Sequence, residues 1–330
     1  LGTDRLPGII TAIRNTIREA GGEVLFGKRI TGIAVSNGKF REVTVNGNET
    51  YRAGDLILAT GHSARDIHSM LAGAGVRLAF KPFAMGVRVE HPQELIDRIQ
   101  YHGRSRGSFL PAAAYSLVTQ ADGRGVYSFC MCPGGFMVPS ATAPGEVVVN
   151  GMSPSNRNSR WANSGIVTEI REEDAMRYGS GPLAGTAYQA ALEKLAWKEG
   201  GMTQQAPAQR LTDFVEGKAS STLPEGSYFP GLTASPLHEW LPADISGRLR
   251  QGFREFGKKM RGFITGEALV AAVESRTSSP VRILRDPVAL NAEGIEGLWP
   301  AGEGAGYAGG IVSSAVDGML LAQAIVRSSK

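Results

Sequence analysis

The sequence predicts an α/β protein in which one sheet-bearing domain is interrupted by a second. Three observations predict it. A strand that runs into a glycine turn and then a helix occurs near both ends of the chain, at Asp55–Gly61 and at Gly297–Gly304. The pattern between them shifts at Lys81 and again near Pro280 to strands with long loops. The length, 330 residues, allows roughly two domains with a sizeable core.

Each element follows from its local pattern. Residues Thr3 to Ala20 carry Leu6, Ile9, Ile10, Ile13 and Ile17 at helical spacing, with Thr3 or Asp4 as N-cap and Gly21-Gly22 as the stop. Glu23 to Phe26 reads as a short strand. Lys28–Ser36, Phe40–Val45 and Glu49–Arg52 alternate and are separated by Asn37-Gly38 and Asn46-Gly47, strong hairpin signals, so a three-stranded antiparallel meander is expected. Ala53 to His62 forms a buried strand ending in Ala59-Thr60-Gly61, and Ser63 with Asp66 three residues on predicts a capped helix over Ser63–Leu71.

From Lys81 to Pro280 the expected elements include strands Tyr127–Cys132 and Gly145–Asn150 and amphipathic helices Gly185–Trp197 and Asp244–Met260. Val281–Leu284, Val288–Ala289 and Gly297–Ala301 read as strands and Ile311–Val326 as the terminal helix. Residues 1–80 and 281–330 are therefore expected to form one domain around an insert, 81–280. No internal repeat is present.

Composition narrows the function. Hydrophobic residues make up 42% and charged residues 20%; the 43 glycines are roughly twice the usual share, which implies many turns and close backbone approaches. The net charge of +4 arises from 35 basic and 31 acidic residues dispersed along the chain, which argues against a nucleic-acid surface. Two cysteines make no disulfide framework, so a reducing, cytoplasmic setting is expected. The apolar run Ile311–Val326 is short and interrupted by Asp317, so no membrane span is expected. The sequence opens at Leu1 on the approach to a helix, and it is read as the continuation of a longer protein.

The stretch Trp299-Pro-Ala-Gly-Glu-Gly-Ala-Gly-Tyr-Ala-Gly-Gly-Ile311 matches G-x-G-x-x-G at Gly304, Gly306 and Gly309. A dinucleotide fingerprint needs a second strand about twenty residues on, carrying an acid for the ribose, and too few residues follow. Another use survives. A strand, Gly302-Glu303-Gly304 and a helix starting near Gly310-Ile311 place backbone amides and the positive end of a helix dipole beside a ligand, and Glu303 can bind hydroxyls. Electron-rich atoms suit that environment, among them the pyrimidine edge of a flavin.

Residues Gly297 to Gly318 resemble the second FAD-binding motif of glutathione-reductase-type flavoproteins, and Asp55-Leu-Ile-Leu-Ala-Thr-Gly61 resembles that family's strand ending in Ala-Thr-Gly. Lys81–Pro92, Cys130–Gly135 with Asn150–Ser153, and Ser275–Pro280 are similar to a group of bacterial FAD-dependent dehydrogenase-like proteins. The resemblance implies a partial glutathione-reductase-type FAD-binding domain, parallel sheet plus meander, interrupted by a mixed α/β substrate domain. It implies an FAD-dependent oxidoreductase passing hydride at flavin N5, with a small-molecule substrate. The cofactor-binding residues would be Gly61, Gly302, Glu303, Gly304, Gly306, Tyr307, Gly309, Gly310 and Ile311. NAD(P)H as electron donor stays open, as do the substrate and the oligomeric state.

The family's opening G-x-G-x-x-G unit does not precede the Thr3 helix. The chain is expected to be a C-terminal part that on its own binds FAD weakly or not at all and is inactive. An RNA-modifying flavoprotein and a non-catalytic binding domain are the rival readings.

No residue stands out as catalytic. Arg276 and Lys81, at the two crossovers, could reach an acidic ligand; Arg276 could equally pair with Glu274. Cys130 is the third candidate, for redox chemistry; against it, Cys130 and Cys132 alternate on a strand and so would point to one side as a buried apolar pair. They lack the C-x-x-C helix start that lowers a thiol pKa. His62 reads as a turn residue. No metal site is expected.

Overall fold

The computed structural model describes residues 2–103 and 106–328. It is mixed α/β, and the chain folds as two compact units, one of Leu1–Gly22, Ala84–Glu169 and Ala190–Ser275, the other of Glu23–Phe83, Ile170–Gln189 and Arg276–Lys330.

The first unit is built on a mixed seven-stranded sheet in the order Leu232–Ala234, Ala206–Arg210, Leu269–Glu274, Phe83–Pro92, Trp161–Ile170, Arg124–Cys132 and Val118–Ala121. Ala206–Arg210 pairs parallel with Leu232–Ala234 and antiparallel with Leu269–Glu274. The two strands Phe83–Pro92 and Leu269–Glu274 are buried along nearly their whole length, as strands covered on both faces are. The helix Ala243–Lys259 contributes Ile245, Leu249, Phe253 and Phe256, spaced to one face and fully buried. Gly252 lets it approach closely, since a Cβ there would stand 2.5 Å from Val126. His91 hydrogen-bonds the Phe263 carbonyl at 2.8 Å, and burial pushes its pKa down to about 4, so the ring is neutral.

The amino-terminal helix forms as Leu6–Glu19 after a 3-10 turn, Thr3–Arg5. Neither Thr3 nor Asp4 caps it: Asp4 accepts the backbone N–H and the hydroxyl of Ser155, both at 2.7 Å, and Thr3 N donates to the Ser153 carbonyl. The helix buries none of its residues, and Ile10 is 61% exposed.

The second unit contains the expected meander, Ile30–Ser36, Lys39–Val45 and Glu49–Arg52, antiparallel throughout, with Asn37 and Asn46 in the left-handed region that their turns require. Leu56–Leu58 pairs parallel with Leu298–Pro300, and Leu78–Phe80 pairs antiparallel with Val281–Ile283. Phe40, Val43, Leu58, Leu71, Ile283 and Leu298 share the core.

Several local expectations give way to tertiary partners. Glu23–Phe26 is not a strand, and Phe26 is 71% exposed. Val288 and Ala289 lie in a turn because Asp286 Oδ1 accepts both of their amides, at 2.8 and 2.7 Å. The helix Arg65–Gly73 has no side-chain cap, since the Ser63 hydroxyl accepts Arg276 and Asp66 pairs with Arg29. The Gly145–Asn150 stretch pairs only from Val149, where Val149–Met152 runs antiparallel to Phe136–Pro139.

The terminal helix, Ile311–Ser328, is long and apolar enough by composition to cross a membrane. Its Asp317 is ion-paired to Arg285 and its buried Leu321 packs with Trp299 and Ala301, as in a helix docked on a sheet.

Candidate functional site

Two parallel strands, Leu56–Leu58 and Leu298–Pro300, end side by side in the second unit, and their carboxyl ends carry the candidate turns. Ala301 N donates to the Leu58 carbonyl at 2.9 Å, which keeps the chains in register as they leave the sheet. Ligands of open parallel sheets sit at such carboxyl ends.

The turns meet backbone to backbone. A Cβ on Gly304 would stand 2.5 Å from the Gly61 carbonyl oxygen and 2.9 Å from its nitrogen. Gly61, Gly302 and Gly306 take positive φ of 72°, 67° and 85°. The turn closes on itself through Tyr307 N to the Gly302 carbonyl and Gly306 N to the Glu303 carbonyl.

Around it sit three groups that hold its shape. Asp317 accepts the Gly302 amide at 2.7 Å and both Arg285 Nη atoms, at 2.6 and 3.1 Å, and Arg285 Nη1 donates in turn to the Pro300 carbonyl. Burial raises the Asp317 pKa, but the hydrogen bonds from Arg285 and Gly302 outweigh it, so the carboxyl titrates below its ordinary range. His68 is buried and hydrogen-bonds the Gly304 carbonyl at 2.9 Å; burial lowers its pKa, so Nε2 carries the proton and donates. Tyr307 is clamped, its hydroxyl donating to the Ile283 carbonyl and accepting Arg285 N, its ring 3.7 Å from the Arg285 guanidinium carbon.

Glu303 faces His62, with Oε1 3.0 Å from Nδ1 and both side chains about one-fifth exposed. Lys81 packs beside Gly306, close enough to feel Glu303, and burial followed by the Arg282 charge lowers its pKa. Arg276 Nη1 donates to the Ser63 hydroxyl at 3.1 Å. Glu274, the carboxylate suggested for Arg276, accepts Arg88 Nε at 2.6 Å.

In front of the terminal helix the space is open. Among the described residues a Cβ on Gly309 or Gly310 would touch nothing within 4 Å, and Ile311 and Val312 are 70% and 77% exposed. Ser314 N makes a helical bond back to the Gly310 carbonyl, so the amides of residues 311–313 belong to the helix's unsatisfied first turn. A concavity of about 800 Å³ runs along this end, bordered by Tyr307, Gly310, Ile311, Val316 and Leu320. A second groove of about 850 Å³, lined by Lys39, Asp55, Glu296 and Arg327, lies toward the opposite end of the same strand pair. The chemistry-bearing glycine turns are not among its walls.

Of the residues expected to hold the cofactor, Gly61 and Gly304 meet backbone to backbone, Gly302, Glu303, Gly306 and Tyr307 belong to the same closed turn, and Gly309–Ile311 lead from it into the terminal helix. The sequence reading missed Asp317, His68 and Arg285. A carboxylate six residues into an apolar helix was the available signal for Asp317. Cys130 lies in the other unit, and there the expected strand pair breaks. A register shift opposite Asn163 and Gly165 puts Cys130 at φ 47°, leaving it exposed while Cys132 is buried. Among the described residues no cluster of His, Cys, Asp or Glu could hold a metal.

Comparison with known proteins adds a family. Residues 82–277 match the profile of the FAD-dependent protein, C-terminal domain-like family. An uncharacterized protein of Clostridium beijerinckii is 43% identical over 331 residues, covering 99% of this chain and 61% of that protein. The chain thus spans about three-fifths of the length of the curated relative it matches. Among solved structures, CtdE in complex with FAD aligns with a TM-score of 0.30 at 9% identity, over 88% of this chain and 51% of that one. CtdE with FAD and a substrate gives a TM-score of 0.29 at 10% identity, over 88% and 48%. Alignments at these scores carry no argument for this chain. The profile match, covering more than half of the sequence, decides the matter: the chain belongs to the family of FAD-dependent proteins with this C-terminal domain.

Proposed function

We propose that the chain is the C-terminal part of an FAD-dependent oxidoreductase of the glutathione-reductase type, with the flavin held against the start of helix Ile311–Ser328. One observation carries the reading: the twin glycine turns are packed with no room for a Cβ at Gly304, yet the space before Gly309 and Gly310 is clear. Glycine is required behind the site and unobstructed in front of it, as close approach to a flat ring needs.

The residues divide the work. The first-turn amides and the helix dipole favour negative charge at the ring edge. Glu303, oriented by His62, accepts hydroxyl donors of a ribitol chain. Asp317 and His68 fix the turn from behind by holding Gly302 N and Gly304 O. Bound FAD supplies hydride exchange at N5. Lys81, its pKa lowered by burial, is placed beside the turn to hold or give up a proton to a substrate. The unit of Glu23–Phe83, Ile170–Gln189 and Arg276–Lys330 is assigned to the cofactor half and the unit of Leu1–Gly22, Ala84–Glu169 and Ala190–Ser275 to the substrate domain, so that, unlike the boundaries expected from the sequence, residues 1–22 go with the insert and 170–189 with the cofactor half. NAD(P)H is the proposed electron donor class, and a cytoplasmic setting is proposed from the cysteine usage.

The family match on 82–277 lies outside the candidate flavin turn, so the two supports are independent. The test is flavin content. The natural gene product should release one FAD per chain on acid denaturation, whereas the present chain titrated with FAD should bind weakly or not at all. A stoichiometric flavin in the present chain would contradict the part-protein reading, and a flavin-free natural product would sink the whole proposal.

A further inference from the structure

We propose that Cys130 and Cys132 form a dithiol that exchanges with disulfides, Cys130 attacking and Cys132 resolving. The inference stands apart from the flavin reading, because it rests on the first unit alone.

The geometry comes from the bulge. With Asn163 opposite Cys132 and Gly165 opposite Phe129, two strand residues face one, and Cys130 falls in the left-handed region. A regular strand would send both thiols to one side; the bulge leaves the Cys130 residue exposed and the Cys132 residue buried. Cys132 Sγ donates to the Cys130 carbonyl at 3.4 Å, which ties the buried side chain back to the bulged residue. This is an attacking group at the surface with a resolving group beneath it.

The surroundings are built rather than incidental. Arg88, fully buried, sends Nε to Glu274 at 2.6 Å, Nη1 to Asn163 Oδ1 at 2.7 Å and to the Cys130 carbonyl at 3.4 Å, and Nη2 to Asn150 Oδ1 at 3.4 Å. Gly151 is required beside it, since a Cβ there would stand 2.2 Å from Arg88 Nη1. Gly135 lets the Val149–Met152 strand close over Cys132; a Cβ there would be 2.2 Å from the Met152 carbonyl. Hydrogen bonding from Cys132 lowers the Cys130 pKa to about 6 against burial, with Arg88 adding and Glu274 opposing, while the same bond and burial push Cys132 up. The opposite directions of the two shifts favour Cys130 as the attacking sulfur.

The chemistry balances with a low-molecular-weight disulfide, RSSR, as oxidant. Cys130 thiolate attacks one sulfur, the RS–SR bond breaks, and RS⁻ leaves and takes a proton. Cys132 gives its proton to solvent and attacks Cys130 Sγ, expelling the second RS⁻, which is protonated. The protein dithiol is oxidised by two electrons to a disulfide and RSSR is reduced to two RSH.

The test uses 2-hydroxyethyl disulfide on the reduced native chain, read by intact mass and released thiol, with near-UV circular dichroism as the fold control. The wild type should release two thiols per chain and lose two hydrogens with no retained adduct. Cys132→Ala should stop at a single adduct on Cys130, and Cys130→Ala should carry none, its remaining thiol being buried. Adducts retained on both cysteines of the wild type, no reaction of the folded wild type, or a folded Cys132→Ala that stays unmodified would each overturn the proposal.

Discussion

Gly304 meets Gly61 backbone to backbone, so near that any side-chain carbon on Gly304 would lie 2.5 Å from the Gly61 carbonyl oxygen. The contact joins the ends of two parallel strands, and no flexible side chain is available there to yield. Gly304→Ala should destabilise the protein by about 1–3 kcal/mol, as overpacking does. Gly309→Ala, in open space, should cost far less. Paired urea melts of the two variants check this.

Asp317 ties the terminal helix to the Gly302 turn and to Arg285. Asp317→Ala leaves the Arg285 charge and the Gly302 amide without that carboxylate, and should cost about 3–5 kcal/mol. Asp317→Asn keeps an acceptor and should cost less. The carboxyl titrates below its ordinary value when folded, so its contribution is complete above the unfolded pKa and is lost as pH falls through the folded one. Denaturation curves below about pH 4 should therefore be steeper in the wild type than in Asp317→Asn.

Arg88 and Glu274 are a pair with almost no solvent contact. Arg88→Met would strand a buried carboxylate, again at about 3–5 kcal/mol, while Arg88→Met with Glu274→Leu should recover most of the loss. A double-mutant cycle in guanidinium measures the difference. A double variant no more stable than Arg88→Met would show that the strand packing, rather than the stranded charge, dominates.

What was legible in the sequence follows how local its cause is. The meander was written in Asn37-Gly38 and Asn46-Gly47, whose turns need left-handed backbone and are fixed by adjacent residues. The glycine turns were legible because Gly302, Gly304 and Gly306 have few other uses. Ser63 misled: its spacing to Asp66 suits a cap, but Arg276, far along the chain, takes the hydroxyl. Asp286 likewise turned an apolar pair, Val288-Ala289, into a turn. The cysteine bulge has no local signature, because alternation in Tyr127–Cys132 is intact and only the register against Asn163–Gly165 breaks it.

The most direct measurement compares flavin retention in the natural gene product with that in its Gly309→Val variant. Among the described residues nothing lies within 4 Å of a Cβ at Gly309, so the variant should melt within a few degrees of the wild type. If a ring rests on this end of the helix, the valine occupies its place, and acid-released FAD should fall at least tenfold. An equally stable variant that retains FAD at the wild-type ratio would contradict the account.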